Sequence, residues 1–159
     1  MNRILALFAA VSLLSGCSTV GNPIASTSDS TGFNARPTAK EFVVKNDSGG
    51  YVVAYAMRVA RLTQDKKALR FAGRCDSACT MYLGLPRNKV CLEPGAYFRF
   101  HRPTARSNAT VAAATDFLNK SYPAWVRRWI AANGGLTGSL KTMSYAYASK
   151  YLPTCDASA

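Results

Sequence analysis

A serine, a histidine and a pair of glycines are the residues of this chain that could do covalent chemistry together. Ser77 stands in Gly73-Arg74-Cys75-Asp76-Ser77-Ala78-Cys79, where a turn leads into an apolar stretch. His101 ends the aromatic-rich run Tyr97-Phe98-Arg99-Phe100, and Gly49-Gly50 close a polar turn ahead of a helical pattern. A serine at a helix N-terminus sits where free amides and the helix dipole favour developing negative charge. A Gly-Gly amide alongside can supply the second donor of an oxyanion hole, and histidine can take the serine proton. Each residue also has an ordinary reading. Gly49 and Gly50 suit any tight turn, Asp76 or Ser77 suits an N-cap, and His101 suits a satisfied polar position at a strand end. A single histidine excludes an H-E-x-x-H zinc site, and no G-x-x-x-x-G-K-[ST] loop occurs. No metal or other cofactor is expected.

The elements that must position these residues follow from apolar spacing. Glu41–Lys45 is a short β-branched run stopped by Asn46-Asp47-Ser48-Gly49-Gly50, a strand followed by a turn. From Tyr51 to Leu62, Val52, Ala56, Val59 and Ala60 recur at helical spacing. Leu69–Ala72 reads as a second strand after the Asp65-Lys66-Lys67 turn. Gly73–Leu85 reads as a turn that becomes an apolar helix ended by Pro86. Lys89–Leu92 and Tyr97–His101 read as strands, and Val111–Lys120, Trp125–Ala132 and Ser144–Tyr151 as helices. Such alternation predicts an α/β layered domain with a largely parallel sheet.

The first residues belong elsewhere. Ile4–Leu14 is an apolar run of 11 positions behind Met1-Asn2-Arg3. As a helix it would span about 16 Å, short of a hydrocarbon core of about 30 Å. A positive start, a short apolar core and small residues after it describe an export signal. Leu14-Ser15-Gly16-Cys17 further resembles the bacterial lipoprotein signal, which implies that residues 1–16 are removed and that Cys17 is acylated. Ser18, rather than aspartate, after the cysteine is what release to the outer membrane looks like in such proteins, with the domain facing the periplasm. Residues 17–40 are rich in Ser, Thr, Gly, Asn and Pro without an apolar period, a composition that reads as a flexible tether. Residues 41–159 then hold the domain.

Export places the remaining cysteines, Cys75, Cys79, Cys91 and Cys155, in an oxidising compartment. Three pairings are open, and sequence alone does not choose. Cys75 and Cys79 can bridge if the first lies outside the helix, which leaves Cys91 with Cys155. A Cys/His metal cluster using His101 is the alternative, which an oxidising compartment disfavours.

Four stretches carry a family resemblance in order. Asn46–Ala54 resembles the N-S-P-G-G turn and helix of the Clp protease proteolytic subunit. Gly73–Cys79 resembles its G-x-x-x-S-M nucleophile turn, and His101-Arg102-Pro103 resembles its H-Q-P motif, 24 residues past the serine. Met143–Leu152 resembles its closing helix, L-S-x-x-E-A-x-x-x-G-L. Cys75-x-Ser77-Ala78-Cys79-Thr80 is closer still to small exported relatives in the Clp/crotonase superfamily. Over about residues 42–155, the resemblance implies a truncated layered α/β domain of that kind, with a mostly parallel sheet and flanking helices. It implies Ser77 as nucleophile, His101 as general base, and the amides of Gly50 and Ala78 as oxyanion donors. The family's third residue, an aspartate ahead of the closing helix, falls near Leu140-Lys141, where no carboxylate stands. Its opening strand and helix have no counterpart, since the tether occupies that stretch.

The formal charge is +12, from 20 Lys and Arg against 8 Asp and Glu. The basic residues are dispersed and match no nucleic-acid module. They suit anionic headgroups or other envelope polyanions, or simply a solvated surface. Arg99, Arg102 and Arg106 flank the histidine and could favour an acidic ligand there. Trp125 and Trp129 read as core packing more readily than as an interfacial helix. Three functional readings result: an envelope-anchored Ser-His hydrolase acting on peptides, an idle relative that binds a partner, and a structural lipoprotein held to envelope polymers. The sequence leaves the oligomeric state open.

Overall fold

The computed structural model describes residues 35–37 and 41–156. The export signal, Cys17 and most of the expected tether lie outside the described residues. In chain order the elements are β1 (Ala35–Pro37), β2 (Glu41–Val44), α1 (Val52–Gln64), β3 (Ala68–Phe71), β4 (Arg74–Asp76) and a 3₁₀ helix over Ser77–Gly84. A 3₁₀ turn at Arg87–Lys89 leads to β5 (Val90–Leu92), then β6 (Tyr97–Phe100), α2 (Asn108–Ser121), α3 (Ala124–Ala132), β7 (Lys141–Met143) and α4 (Tyr145–Ala148).

The strands form two small sheets rather than one. β1-β2-β3-β5 is parallel except for β1, and β4-β6-β7 pairs β4 with β6 in parallel and β7 antiparallel. The expected largely parallel sheet is thus split and mixed. β1 also begins the fold inside the stretch read as tether. An isolated bridge between Asp47 and Cys75 links the turn after β2 to β4 of the other sheet.

Alternation along β3 and β6 buries Leu69 and Phe71, then Phe98 and Phe100, while Arg70 and Arg99 are less covered. Phe71 meets Phe98 edge to face at 4.8 Å, which joins the two sheets in one core. Arg70 stays on the outer side, hydrogen-bonded to Glu41 at 2.8 Å and Glu93 at 3.4 Å. The helical period of α1 turns Tyr55 and Leu62 inward, with Val52, Ala56 and Val59 beside them. Trp125 and Trp129 pack as the core reading expects: Trp129 lies 5.4 Å from Phe100, and Trp125 stacks on Tyr151 at 4.8 Å.

Ala78–Leu83 are all buried, so the segment after Ser77 is apolar on every side. It forms a 3₁₀ helix, not the α-helix expected. A segment enclosed all round has no solvent face to enforce a 3.6 period, and three local ties tighten it. The Thr80 hydroxyl donates to the Ser77 carbonyl at 2.6 Å, Cys79 is bridged to Cys75, and Gly84 packs so closely that an added Cβ would lie 2.5 Å from the Ser121 carbonyl. The second disulfide joins Cys91 to Cys155 across 64 residues and holds the chain's end beside β5, where the Leu92 amide donates to the Pro153 carbonyl.

Candidate active site

β4 enters the site as a three-residue strand, and Ser77 follows it with φ +53, in the left-handed region. A non-glycine residue there carries about 1–3 kcal/mol of strain and persists only where its surroundings hold it. The surroundings are specific. Cys75 and Cys79 bracket the residue with a covalent bridge, and both are fully buried. Thr80 uses its one proton on the Ser77 carbonyl, so the buried Tyr122 phenol donates to Thr80 at 2.7 Å and anchors the turn to the end of α2. On the open side Gly49 lies flat against the turn: a Cβ there would stand 2.5 Å from the Asp76 carbonyl and 2.8 Å from the Ser77 Cβ. Gly49 also has φ +79, so both space and conformation demand glycine.

His101 follows β6, whose parallel register sets Asp76 beside Arg99. That register carries the imidazole to Ser77: Nε2 and the serine Oγ are 2.7 Å apart. The two residues, 24 apart in sequence, therefore form the hydrogen-bonded pair that proton transfer requires. They open on a cleft of about 780 Å³, lined on one side by Gly49, Gly50, Tyr51, Val52 and Val53 and on the other by Pro103, Thr104 and Ala105 with Thr110, Ala114 and Leu118 of α2. None of these side chains is charged, despite the basic chain. The Gly50 amide makes no hydrogen bond among the described residues, and Ala78 is within the first turn of its 3₁₀ helix, where amides lack an internal acceptor. Gly50 lines the cleft, whereas the Ala78 side chain is buried behind it.

One expectation changes, and one disfavoured alternative falls. Asp76 occupies the N-cap position, but its side chain does not cap the helix. Its carboxylate is held in a fork by Arg99, with Oδ1 to Nε at 2.7 Å and Oδ2 to Nη2 at 2.5 Å, and Arg74 adds a contact at 3.1 Å. Hydrogen bonding to that carboxylate holds the Arg99 guanidinium above its usual range. Arg99 is therefore engaged within the protein by Asp76. The metal cluster also loses its ligands, because all four domain cysteines are bridged, and no group of metal-binding side chains occurs among the described residues.

At the place of the third triad residue, β7 sets Lys141 opposite Phe100, and the Lys141 ammonium caps the end of α3 through the Asn133 and Gly135 carbonyls. Among the described residues, nothing accepts a hydrogen bond from His101 Nδ1.

Asp47, Thr80 and Tyr122 support the site but were not singled out from sequence. An Asx turn ahead of Gly-Gly was the available signal for Asp47. The Thr80–Tyr122 pair joins residues 42 apart and leaves no local trace.

No family model matches the sequence, and no curated protein matches it. Among solved structures the chain is similar to a mutant ClpP1 from Listeria monocytogenes, at 17% identity and a TM-score of 0.52. The match covers 72% of this chain and 71% of that one. The likeness is one of fold: an α/β arrangement with parallel and mixed sheets and flanking helices.

Proposed function

We propose that this chain is a Ser-His hydrolase that acts on peptides at the bacterial envelope, tethered through acylated Cys17 to the outer membrane and facing the periplasm. The observation that carries the reading is the 2.7 Å contact between Ser77 Oγ and His101 Nε2 at the floor of an uncharged cleft. In this mechanism His101 Nε2 takes the Ser77 hydroxyl proton as Oγ bonds to the scissile carbonyl carbon. The carbonyl oxygen becomes an oxyanion facing the Gly50 and Ala78 amides, and the positive end of α1 adds to its stabilisation. The tetrahedral intermediate collapses, the C–N bond breaks, and the amine leaves with the proton from His101. Water, deprotonated by the same imidazole, then releases the acyl group from Ser77.

The test is to incubate the mature chain with a mixed peptide library and identify new termini by mass spectrometry. Cleavage that disappears in Ser77→Ala supports the reading. Peptides retained by the protein without cleavage would favour the second reading, an idle binding module, supported by the lack of an acceptor for His101 Nδ1 among the described residues. For the anchor, Cys17→Ala should move the protein from membranes to the soluble fraction; unchanged co-sedimentation in high salt would reject acylation at Cys17.

A further inference from the structure

A buried carboxylate lies behind the site and takes no part in that mechanism. Asp47 is wholly inaccessible to solvent. Its amide donates to the Arg74 carbonyl at 2.8 Å and its carbonyl accepts from the Asp76 amide at 2.9 Å, so its backbone grips β4 just ahead of Ser77. Its Oδ1 accepts two further bonds, from the Gly49 amide at 2.7 Å and from the Tyr55 hydroxyl at 2.6 Å. Its Oδ2 has no hydrogen-bond partner among the described residues. Burial, and then the bond to Asp47, push the Tyr55 phenol well above its ordinary range, which keeps it a proton donor.

Burying a carboxylate with one oxygen unpaired is costly, and a neutral side chain could make an ordinary turn. What the carboxylate adds is a three-way junction of the nucleophile's strand, the Gly49-Gly50 turn and the first turns of α1. Gly49 is the piece pressed against the site, since a Cβ added there would stand 2.8 Å from the Ser77 Cβ and 3.0 Å from the Ala78 nitrogen. With its amide turned inward to Asp47, the next amide, that of Gly50, finds no acceptor among the described residues.

We propose that Asp47 is a positioning residue that clasps the Gly49 amide and the Tyr55 hydroxyl and so fixes the Gly50 and Ala78 amides as a matched pair of oxyanion donors. This rests on the hydrolase reading for its consequence, but not for its geometry. Its effect is expected in the transition state, because the Asp47 carboxylate is wholly buried and is not among the residues that line the cleft.

The experiment uses the folded mature chain, with Asp47→Ala and Tyr55→Phe as variants, both checked by circular dichroism and melting. Tyr55→Phe keeps the carboxylate and deletes one bond, so it remains informative if Asp47→Ala does not fold. In wild type, amide hydrogen exchange should find Gly49 protected and Gly50 open, whether or not the protein is active. A rapidly exchanging Gly49 amide would overturn the clasp. For its consequence, fluorophosphonate labelling of Ser77 should slow about tenfold or more in Asp47→Ala and by a smaller factor in Tyr55→Phe. The affinity of a peptide boronate should fall in step, while that of the unreactive product peptide should hold within about twofold. Labelling and boronate affinity equal to wild type in folded variants would overturn the assignment. A protected Gly49 with no labelling of wild type would reject the hydrolase reading while leaving the clasp in place.

Discussion

The two halves of the candidate dyad are built in different ways. Around Ser77 the chain is held from every side by a disulfide, by the Tyr122–Thr80 relay to its carbonyl, and by the Gly49 turn pressed against it. His101 ends a strand, is half-buried, and makes one side-chain hydrogen bond, to Ser77. Its neighbour Arg102 is tied through its amide to the Thr137 carbonyl at 2.7 Å, so the backbone there is fixed even though the imidazole has no second partner among the described residues. The nucleophile is thus positioned by covalent and hydrogen-bonded constraint, the base by strand register. A left-handed residue needs the first kind of support, because its own conformation opposes it.

The disulfides separate stability from site geometry most sharply. Removing Cys91–Cys155, which closes 64 residues, should destabilise by about 4 kcal/mol, against about 2 kcal/mol for the four-residue Cys75–Cys79 link. The expected effect on the site is the reverse. A Cys75→Ala/Cys79→Ala chain should lose most of its Ser77 reactivity while folded, and a Cys91→Ala/Cys155→Ala chain should keep it below its lowered melting temperature. Parallel losses in both would mean that the short bridge serves only the fold.

Gly49→Ala attacks the same turn from the cleft side. The new Cβ meets the Asp76 carbonyl at 2.5 Å in a backbone conformation with φ +79, so a loss of about 1–3 kcal/mol is expected, together with displaced nucleophile geometry. A variant with wild-type melting would contradict the close contact.

Tyr122→Phe removes the far end of the relay and should cost about 1 kcal/mol. Its phenol also sets a pH limit. Burial pushes Tyr122 up to about 12, and burial raises Tyr55 and Tyr82 as well. Neutral in the fold, these phenols ionise first in the unfolded chain, near pH 10. Their contribution is full below about pH 10 and is lost as pH climbs towards about 12. Phenolate absorbance should rise in two stages, exposed tyrosines first and buried ones with unfolding; a single stage near pH 10 would contradict their burial.

Much of this arrangement was legible in residue order. Val52, Ala56 and Val59 mark α1 by period, Phe98 and Phe100 mark β6 by alternation, and the order Gly-Gly, Ser77, His101 named the groups that meet at the cleft. What stayed hidden depends on partners far along the chain. β4 is Arg-Cys-Asp, with no apolar alternation of its own, and pairs because Asp47 and β6 offer backbone. Asp76 resembled a cap until its register with Arg99 supplied a stronger partner. β7 is too short to show a period, and α4 ends after Ala148 in turns that keep its apolar spacing.

The account rests on His101 activating Ser77 with no third side chain among the described residues. The most direct measurement is the second-order rate of fluorophosphonate modification at Ser77, read by peptide mapping, in wild type and in His101→Ala, with Ser77→Ala as the blank. A ratio of about 10²–10⁴ between wild type and His101→Ala is predicted, the range expected of one positioned base. Equal rates in the two folded proteins, or label carried elsewhere than Ser77, would contradict it.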